Sequence, residues 1–456
     1  MRAIPPPKLL LLSLTCCLCG MSPAQAATVV DLIAGNPNLS TLATFLTGAG
    51  LTTTLGGTGP YTVWAPSNAA FAALPSYVVG YLKDPTNMDS LQALLKYHVS
   101  PSSVAVTSLS NGEKLTTLQG SDVFVAPLSA TNTTLGLVSS TCQKGVVLTG
   151  AEASATNGMV QEIDQVLFPA GLFPNDFVFW VEQRGQERVG YSGYDCRAKG
   201  TDVLAFQTEK PVGLALDSNT EQLFWSNDQN AKPFDSYATS IDFSGANLDV
   251  FLTGLYDPQG MDTDTNAKKL YFTEHQGCKV HRCNYDGSDV ETLKEFEPPN
   301  TWFPADVAVD PEEELVFMAV QSVPTELQGK IAVMFYNGTG YQDLVTGLHK
   351  NFGLCLDTRL KHVFYIEGGH GGSLNCLSYG STPCKSKVLL DDLQYGYMCD
   401  VDNLFAAYGG PTNIVFSEAS IPGNIYMVDS AGHNQVPIVA NLSAPMGVKL
   451  GTVKVL

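Results

Sequence analysis

The chain has 456 residues, 44% of them hydrophobic and 15% charged, and a net charge of −19. That length accommodates two or three domains. The acidic balance argues against nucleic acid or an anionic membrane as partner, because either demands clustered Lys and Arg; it also keeps an exported protein soluble.

The first 26 residues have the three parts of a secretory signal: Arg2 and Lys8, an apolar core from Leu9 to Leu14 continuing through Cys16 and Cys17, and Ala24-Gln25-Ala26 for cleavage. The core is too short to span a bilayer, no later apolar run approaches about 18 residues, and the terminal GTVKVL lacks the tail of a lipid-anchor signal. A secreted, extracellular protein without a membrane span is expected. Beyond Cys16, Cys17 and Cys19 stand Cys142, Cys196, Cys278, Cys283, Cys355, Cys376, Cys384 and Cys399, an even set that suits disulfides in an oxidising compartment. Glycosylation sequons occur at Asn38, Asn132, Asn337 and Asn441.

From 27 to 169 the pattern mixes helix and strand. Val30, Ile33, Leu39, Leu42, Phe45 and Leu46 recur at mainly helical spacing, interrupted by Gly35 and Pro37. Tyr61, Val63 and Ala65 alternate as a strand that Pro66 ends, and Ser67 or Asn68 can cap the next helix. LQALLKYHV is a helix with an apolar face. Asn157-Gly158 is a hairpin turn dipeptide followed by a strand through Met159, Val160 and Ile163. The block Thr62-Val63-Trp64-Ala65-Pro66-Ser67-Asn68 with Phe71, the Tyr97-His98 pair, and Asn157-Gly158-Met159-Val160 through Leu167-Phe168-Pro169 resemble the fasciclin domain family. The resemblance implies a compact α+β module of extracellular adhesion and matrix proteins, whose animal members use surface around the Tyr-His pair for receptor contacts. Tyr97 and His98 are therefore candidate binding residues, beside the alternative of a buried, hydrogen-bonded pair.

After a linker at 170–175, residues 176–456 repeat. PVGLALD at 211, PQGMDTD at 258, PADVAVD at 304, NFGLCLD at 351 and YMCDVD at 397 open units of about 46 residues, a propeller-blade period. An aromatic strand follows each: LFWSN, LYFTE, LVFMA, HVFYI and IVFSE. PMGVKL at 445 opens a sixth unit whose aromatic strand is VFWVE at 178, so the last strand is expected to complete the first blade and close a six-bladed β-propeller. The expected fold is thus mainly β, an α+β fasciclin-like domain followed by that propeller. Phe224-Trp225-Ser226-Asn227 and Tyr271-Phe272-Thr273-Glu274 resemble the Tyr-Trp-Thr-Asp repeats of lipoprotein-receptor-like propellers, which bind proteins through one rim; Phe317-Met318-Ala319-Val320 departs from them. The opening Asp217, Asp264, Asp310, Asp357 and Asp402 read as polar contacts between blades.

H-E-x-x-H, G-x-S-x-G, P-loop and dinucleotide patterns are missing, so no catalytic residue, cofactor or metal ligand is assigned. Gly368-Gly369-His370-Gly371-Gly372 reads as a hairpin turn, and Cys278, His281 and Cys283 as structural residues. Cys278 and Cys283 are too far apart along one strand to bond, whereas the Tyr379-Gly380-Ser381 turn brings Cys376 and Cys384 together; Cys355 with Cys399 stays open. The functional expectation is a non-catalytic binding or scaffold protein. Its partner is an extracellular protein or glycan in adhesion, or a secreted laccase-type oxidase that it assists in coupling phenolic polyketides, as secreted fasciclin-domain proteins of fungal aromatic-polyketide pathways imply. The alternative is a calcium-dependent propeller lactonase or hydrolase using some of Glu182, Glu274, Glu367 and Glu418.

Overall fold

A computed structural model describes residues 27–451 apart from 128–134, 140–147, 170–171, 174–176, 186, 194–200, 207, 230–233, 298–300, 323–327, 386, 405, 409 and 411. The signal segment, Asn132, Cys142 and Cys196 lie outside the described residues. Among those described, no helix is long and apolar enough to cross a membrane.

The first half is α+β. The early helical pattern resolves into Val29–Gly35, a 3-10 turn at Pro37–Leu39 and a helix over Ser40–Gly48. Proline explains the break, since it lacks the N–H that a continuing helix needs. Thr28 caps the first helix in a reciprocal capping box with Asp31. Ser67 caps Asn68–Ala72 by accepting from Ala70 N–H. Tyr61–Pro66 pairs in parallel with Gly158–Ile163 and antiparallel with Val99–Ser100, and Leu148–Ala155 completes the four-stranded sheet. A second sheet joins Lys114–Thr116, Asp122–Pro127 and Leu135–Val138. Helices and the first sheet enclose one apolar cluster around Leu42, Phe45, Phe71 and Leu94. The second cluster holds Trp64, Tyr97, Val123 and Leu167 between the sheets.

The Asn157-Gly158 turn does more than reverse the chain. Asn157 Oδ1 accepts from Val29 N–H at 2.9 Å, and its amide donates to the carbonyls of Leu55 and Gly57 at 2.7 Å each. One buried side chain therefore ties three segments together. Gly158 has φ +155°, and a Cβ there would lie 2.0 Å from the Tyr61 carbonyl oxygen, so only glycine allows the two strands to approach.

The second half holds six four-stranded antiparallel sheets. Five are sequential, opening at Pro211–Asp217, Pro258–Asp264, Trp302–Asp310, Asn351–Asp357 and Gly396–Asp402. The other is assembled from both ends: Pro445–Gly451 pairs with Phe177–Glu182, followed by Arg188–Gly193 and Thr201–Phe206. Each opening strand lies against the opening strand of the next sheet, and Pro445–Gly451 lies against both Gly396–Asp402 and Pro211–Asp217. The apolar residues follow the same order. Six clusters are each shared by two neighbouring sheets, one joining 211–255 to 258–295 through Phe224 and Phe272, and others joining the two-ended sheet to its neighbours on each side. The aromatic second strands supply these cores; Trp180, Phe224, Trp225, Phe272, Phe317 and Phe364 are fully buried.

Close approach of the opening strands rests on a glycine at their third position. A Cβ on Gly213, Gly353 or Gly447 would fall 1.8, 2.2 or 2.8 Å from a carbonyl oxygen of the adjoining strand. The two halves also touch. The Tyr408 hydroxyl accepts from Asn87 Nδ2 and donates to Asp84 Oδ2, both at 2.9 Å, and its ring meets Tyr81 edge-on.

Candidate binding site

Tyr97 and His98 do not form a surface. Both are buried, Tyr97 at 0% and His98 at 1% exposure. The helix Met88–Tyr97 ends exactly at this pair, delivering them into the gap between the two sheets. Tyr97 donates to the Asp122 carbonyl. His98 Nε2 accepts from Leu167 N–H at 2.9 Å, which makes Nδ1 the protonated nitrogen, donating to the Leu94 carbonyl at 2.8 Å. Burial pushes the His98 pKa down to about 4. Both side chains are buried and hydrogen-bonded to backbone groups, as in the structural alternative that the sequence offered.

The four glutamates share one register position, and among the described residues none of them falls in a group close enough to hold a metal ion. Each ends the second strand of its sheet, opposite Pro445, Pro258, Asn351 and Gly396 respectively. Each carboxylate accepts a backbone N–H just before or at the entry to the opening strand: Ser443 for Glu182, Tyr256 for Glu274, His349 for Glu367 and Gln394 for Glu418. Glu182 also meets Arg188, and Glu274 meets His281. These carboxylates hold the chain's return to the centre, one in each of four sheets, instead of converging on a cation.

The opening aspartates divide their work. In Asp217, Asp310 and Asp357 one oxygen caps the following turn, while the other reaches the neighbouring sheet. Asp217 meets Lys268 and the Tyr285 hydroxyl, and Asp310 meets Lys361 and the Tyr379 hydroxyl. Asp357 accepts from Thr412. Burial opposes ionisation of Asp217, but the Asn219 N–H and Lys268 hold its pKa below the usual carboxylate value. For Asp264, the bonds found are those from Asn266 and Ala267 N–H in its own turn.

Among the described residues two disulfides are present, Cys376–Cys384 and Cys355–Cys399, the latter joining opening strands of adjacent sheets. Cys283 lies on the strand Lys279–Asn284 and Cys278 in the turn before it, not on the strand itself; both are unbonded and buried in different apolar clusters. Burial pushes the Cys283 thiol up to about 12. His362, Cys376 and Cys384 gather within ligand reach of one another, but the two sulfurs are bonded and His362 Nε2 faces the Thr382 carbonyl. In the glycine-rich segment Glu367 pairs with Ser373, so Gly368–Gly372 connects the two strands of a hairpin, and the strand His370–Ser378 begins within it through its pairing with Val388–Gln394. Asn38, Asn337 and Asn441 are exposed.

The feature that sequence reasoning missed lies where the six sheets converge. A cavity of about 670 Å³ is lined from all of them or their flanking loops. One aligned position of the opening strands, the residue after Pro258, Pro304, Asn351, Gly396 and Pro445, recurs in its wall: Gln259, Ala305, Phe352, Tyr397 and Met446. A one-residue register shift follows Pro258, Pro304, Asn351, Gly396 and Pro445, at this same aligned position. Tyr397 donates to Gln259 Oε1 at 2.9 Å, Gln259 Nε2 donates to Asp257 Oδ1 at 2.6 Å, and His275 Nδ1 meets Asp257 Oδ2 at 3.0 Å. Burial raises the Asp257 pKa, but His275 and Gln259 more than offset it and the net shift is downward. Phe352 stacks on Tyr397 with centroids 5.0 Å apart. A second cavity of about 570 Å³ shares Gln183, Arg184, Phe352, Tyr397 and Met446. The signal available in the sequence was the variable second letter of the repeated openings, set among otherwise regular apolar positions.

Deeper along the same strands Lys449 lies 3.0 Å from Asp262 and 4.0 Å from Asp400. Burial opposes its charge, but these two carboxylates raise its pKa. Asp306 occupies the third position, where four other opening strands have glycine or, in one, Met398 takes that place. Burial pushes its pKa up to about 7.

Comparison with known proteins places the first half. Residues 37–169 match the fasciclin domain model. Protein sll1483 of Synechocystis sp. is 36% identical over 147 residues, 32% of this chain and 75% of that protein. The transforming growth factor-beta-induced protein ig-h3 of Sus scrofa is 35% identical over 153 residues, but the match spans only 20% of its length. The cell surface glycolipoprotein MPB83 of Mycobacterium bovis is 33% identical over 155 residues, 33% of this chain and 63% of that protein. Among solved structures, a chain of a nidogen/laminin complex superposes with TM-score 0.49 at 15% identity, covering 60% of this chain and 97% of that one. TolB from Acinetobacter baumannii superposes with TM-score 0.47 at 8% identity, covering 60% and 66%.

Proposed function

The chain belongs to the fasciclin-domain family through its N-terminal third, and on that premise we propose that it is a secreted, adhesion-type binding protein in which a fasciclin-like domain at 27–169 carries a closed six-bladed propeller at 176–456. The supporting observation is the cyclic series of shared cores, in which the sheet built from both chain ends lies between the 396–442 and 211–255 sheets. A ring of this kind leaves only short, protected sheet edges, and it gathers residues of all six sheets or their flanking loops into a single recess. Four glutamates in the expected ligand positions serve backbone N–H groups, so the reading is a binding protein and not a calcium hydrolase.

The exposed Asn38, Asn337 and Asn441 suit an exported glycoprotein. Expression with the native N-terminus should yield a chain beginning near Ala27 whose mass falls on treatment with a glycan-releasing amidase. Purified full-length protein should be retained saturably on decellularised extracellular matrix. Passage through the matrix without retention would sink the adhesion reading, and an intact, cell-retained N-terminus would sink secretion.

A further inference from the structure

We infer that the recess where the six sheets meet is a binding site for a neutral saccharide; this rests on the binding-protein reading and names its ligand. Four observations carry it. The volume, about 670 Å³ with a second cavity of about 570 Å³ sharing five residues, lies in the range of small-ligand sites and extends far enough for more than one ring.

The polar groups are fixed in advance. Tyr397, Gln259, Asp257 and His275 form a continuous hydrogen-bonded chain, so neither Gln259 nor His275 must be ordered when a ligand arrives. The chain presents donors and acceptors together, which is what a hydroxyl group, itself donor and acceptor, requires.

The charge is balanced locally. Apart from the His275–Asp257 pair, the wall carries Arg184 and Lys210 against Glu187 and Asp228, two of each sign. The whole chain is at −19, so this balance belongs to the recess and not to the surface at large. With no surplus of positive charge in its wall, the recess does not select a phosphate or a sulfated glycan. The groups of His, Cys, Asp and Glu close enough to hold a metal, among the described residues, lie elsewhere.

The wall also has an apolar component. Phe352 and Tyr397 are stacked at 22° and both line the two cavities. A pyranose ring is amphipathic, with C–H groups on its faces and hydroxyls on its edge. Its faces pack on aromatic rings while its edge meets the hydrogen-bonded chain.

The test is saturation-transfer NMR and calorimetry on the full-length chain with cellobiose, mannobiose and N,N′-diacetylchitobiose at millimolar concentration. At least one should bind. Gln259→Leu should weaken it about tenfold, the equivalent of roughly one hydrogen bond. His275→Ala on the rim should weaken it similarly with an unchanged melting temperature, so that a folding failure in the first variant does not decide the matter. Tyr408→Phe, far from the recess, should bind as the unmodified chain does. Failure of all three sugars to bind, binding by both recess variants as tight as by the unmodified chain, or tighter binding of catechol or of a peptide at the same residues would overturn the assignment. Matrix retention without sugar binding defeats only this inference. Sugar binding without retention defeats the adhesion reading and leaves the site.

Discussion

The two halves of this chain are held together by opposite strategies. In the first, contacts are used once: Asn157 ties three segments, His98 bridges a helix end to Leu167, and Ser67 caps one helix. In the second, contacts are used again and again: a bulge at each opening, a carboxylate on the backbone entering it, a turn-capping aspartate, a shared aromatic core. A single loss in the first half has no substitute. In the second, one link of a repeated set fails while its equivalents persist, except in the sheet assembled from both ends of the second half.

That junction gives the largest expected effect. A chain ending at Ala444 loses Pro445–Gly451, and with it the partner of Phe177–Glu182 and the Lys449–Asp262 pair. It should fail to accumulate as soluble secreted protein. Secretion with unchanged thermal stability would show that the ends are not joined.

The disulfides sharpen the contrast between local and ring-spanning links. Cys355–Cys399 closes a separation of 44 residues and Cys376–Cys384 one of 8. Loop-closure entropy predicts a loss of about 4 kcal/mol for Cys355→Ser with Cys399→Ser and about 2.5 kcal/mol for the other pair. Denaturant midpoints of the two double variants check the order, and a reversed order would break the argument.

Acid separates the halves by sign. His98 has its folded pKa depressed to about 4, so the unfolded chain takes up the proton first and stability falls as pH drops from about 6.5 toward 4. The full loss is about 3 kcal/mol. Asp306 has its folded pKa raised to about 7, so the folded chain takes up the proton first and gains stability over the window from about 7 down to the usual carboxylate value. Hydrogen exchange between pH 7 and pH 4, corrected for intrinsic rate, should show protection falling around Leu94 and Leu167 but rising around Val307 and Leu354. Parallel changes in both regions would refute the contrast.

The smallest effect belongs to the contact between the halves. Tyr408→Phe removes two hydrogen bonds to Asn87 and Asp84 and leaves the ring on Tyr81. It should cost about 1 kcal/mol, visible as greater separation of the two unfolding transitions in calorimetry. An unaltered calorimetric trace would mean that the tyrosine couples nothing.

Much of this architecture was legible because local physics is local. The period of the openings, the aromatic second strands, the Asn-Gly turn and the Ser67 cap all follow from side-chain pattern and backbone preference over a few residues. The pairing of PMGVKL with VFWVE was legible too, since only one opening and one aromatic strand lacked partners.

What neighbouring residues cannot reveal is direction. Glu182, Glu274, Glu367 and Glu418 share a repeat position that reads equally as ligand or as backbone tie, and only the folded geometry shows each one accepting an N–H. The Tyr97-His98 pair reads as contact surface or as core, and packing between two sheets decides for core. Cys355 and Cys399 differ in position relative to their aspartates, yet adjacent opening strands bring their Cα atoms to 5.6 Å. The recess is the extreme case. Gln259, Phe352, Tyr397 and Met446 are separated by scores of residues, and no stretch of sequence contains the site. A repeat specifies what each sheet is; convergence of six sheets, which exists only when long-range packing has been completed, decides what faces the centre.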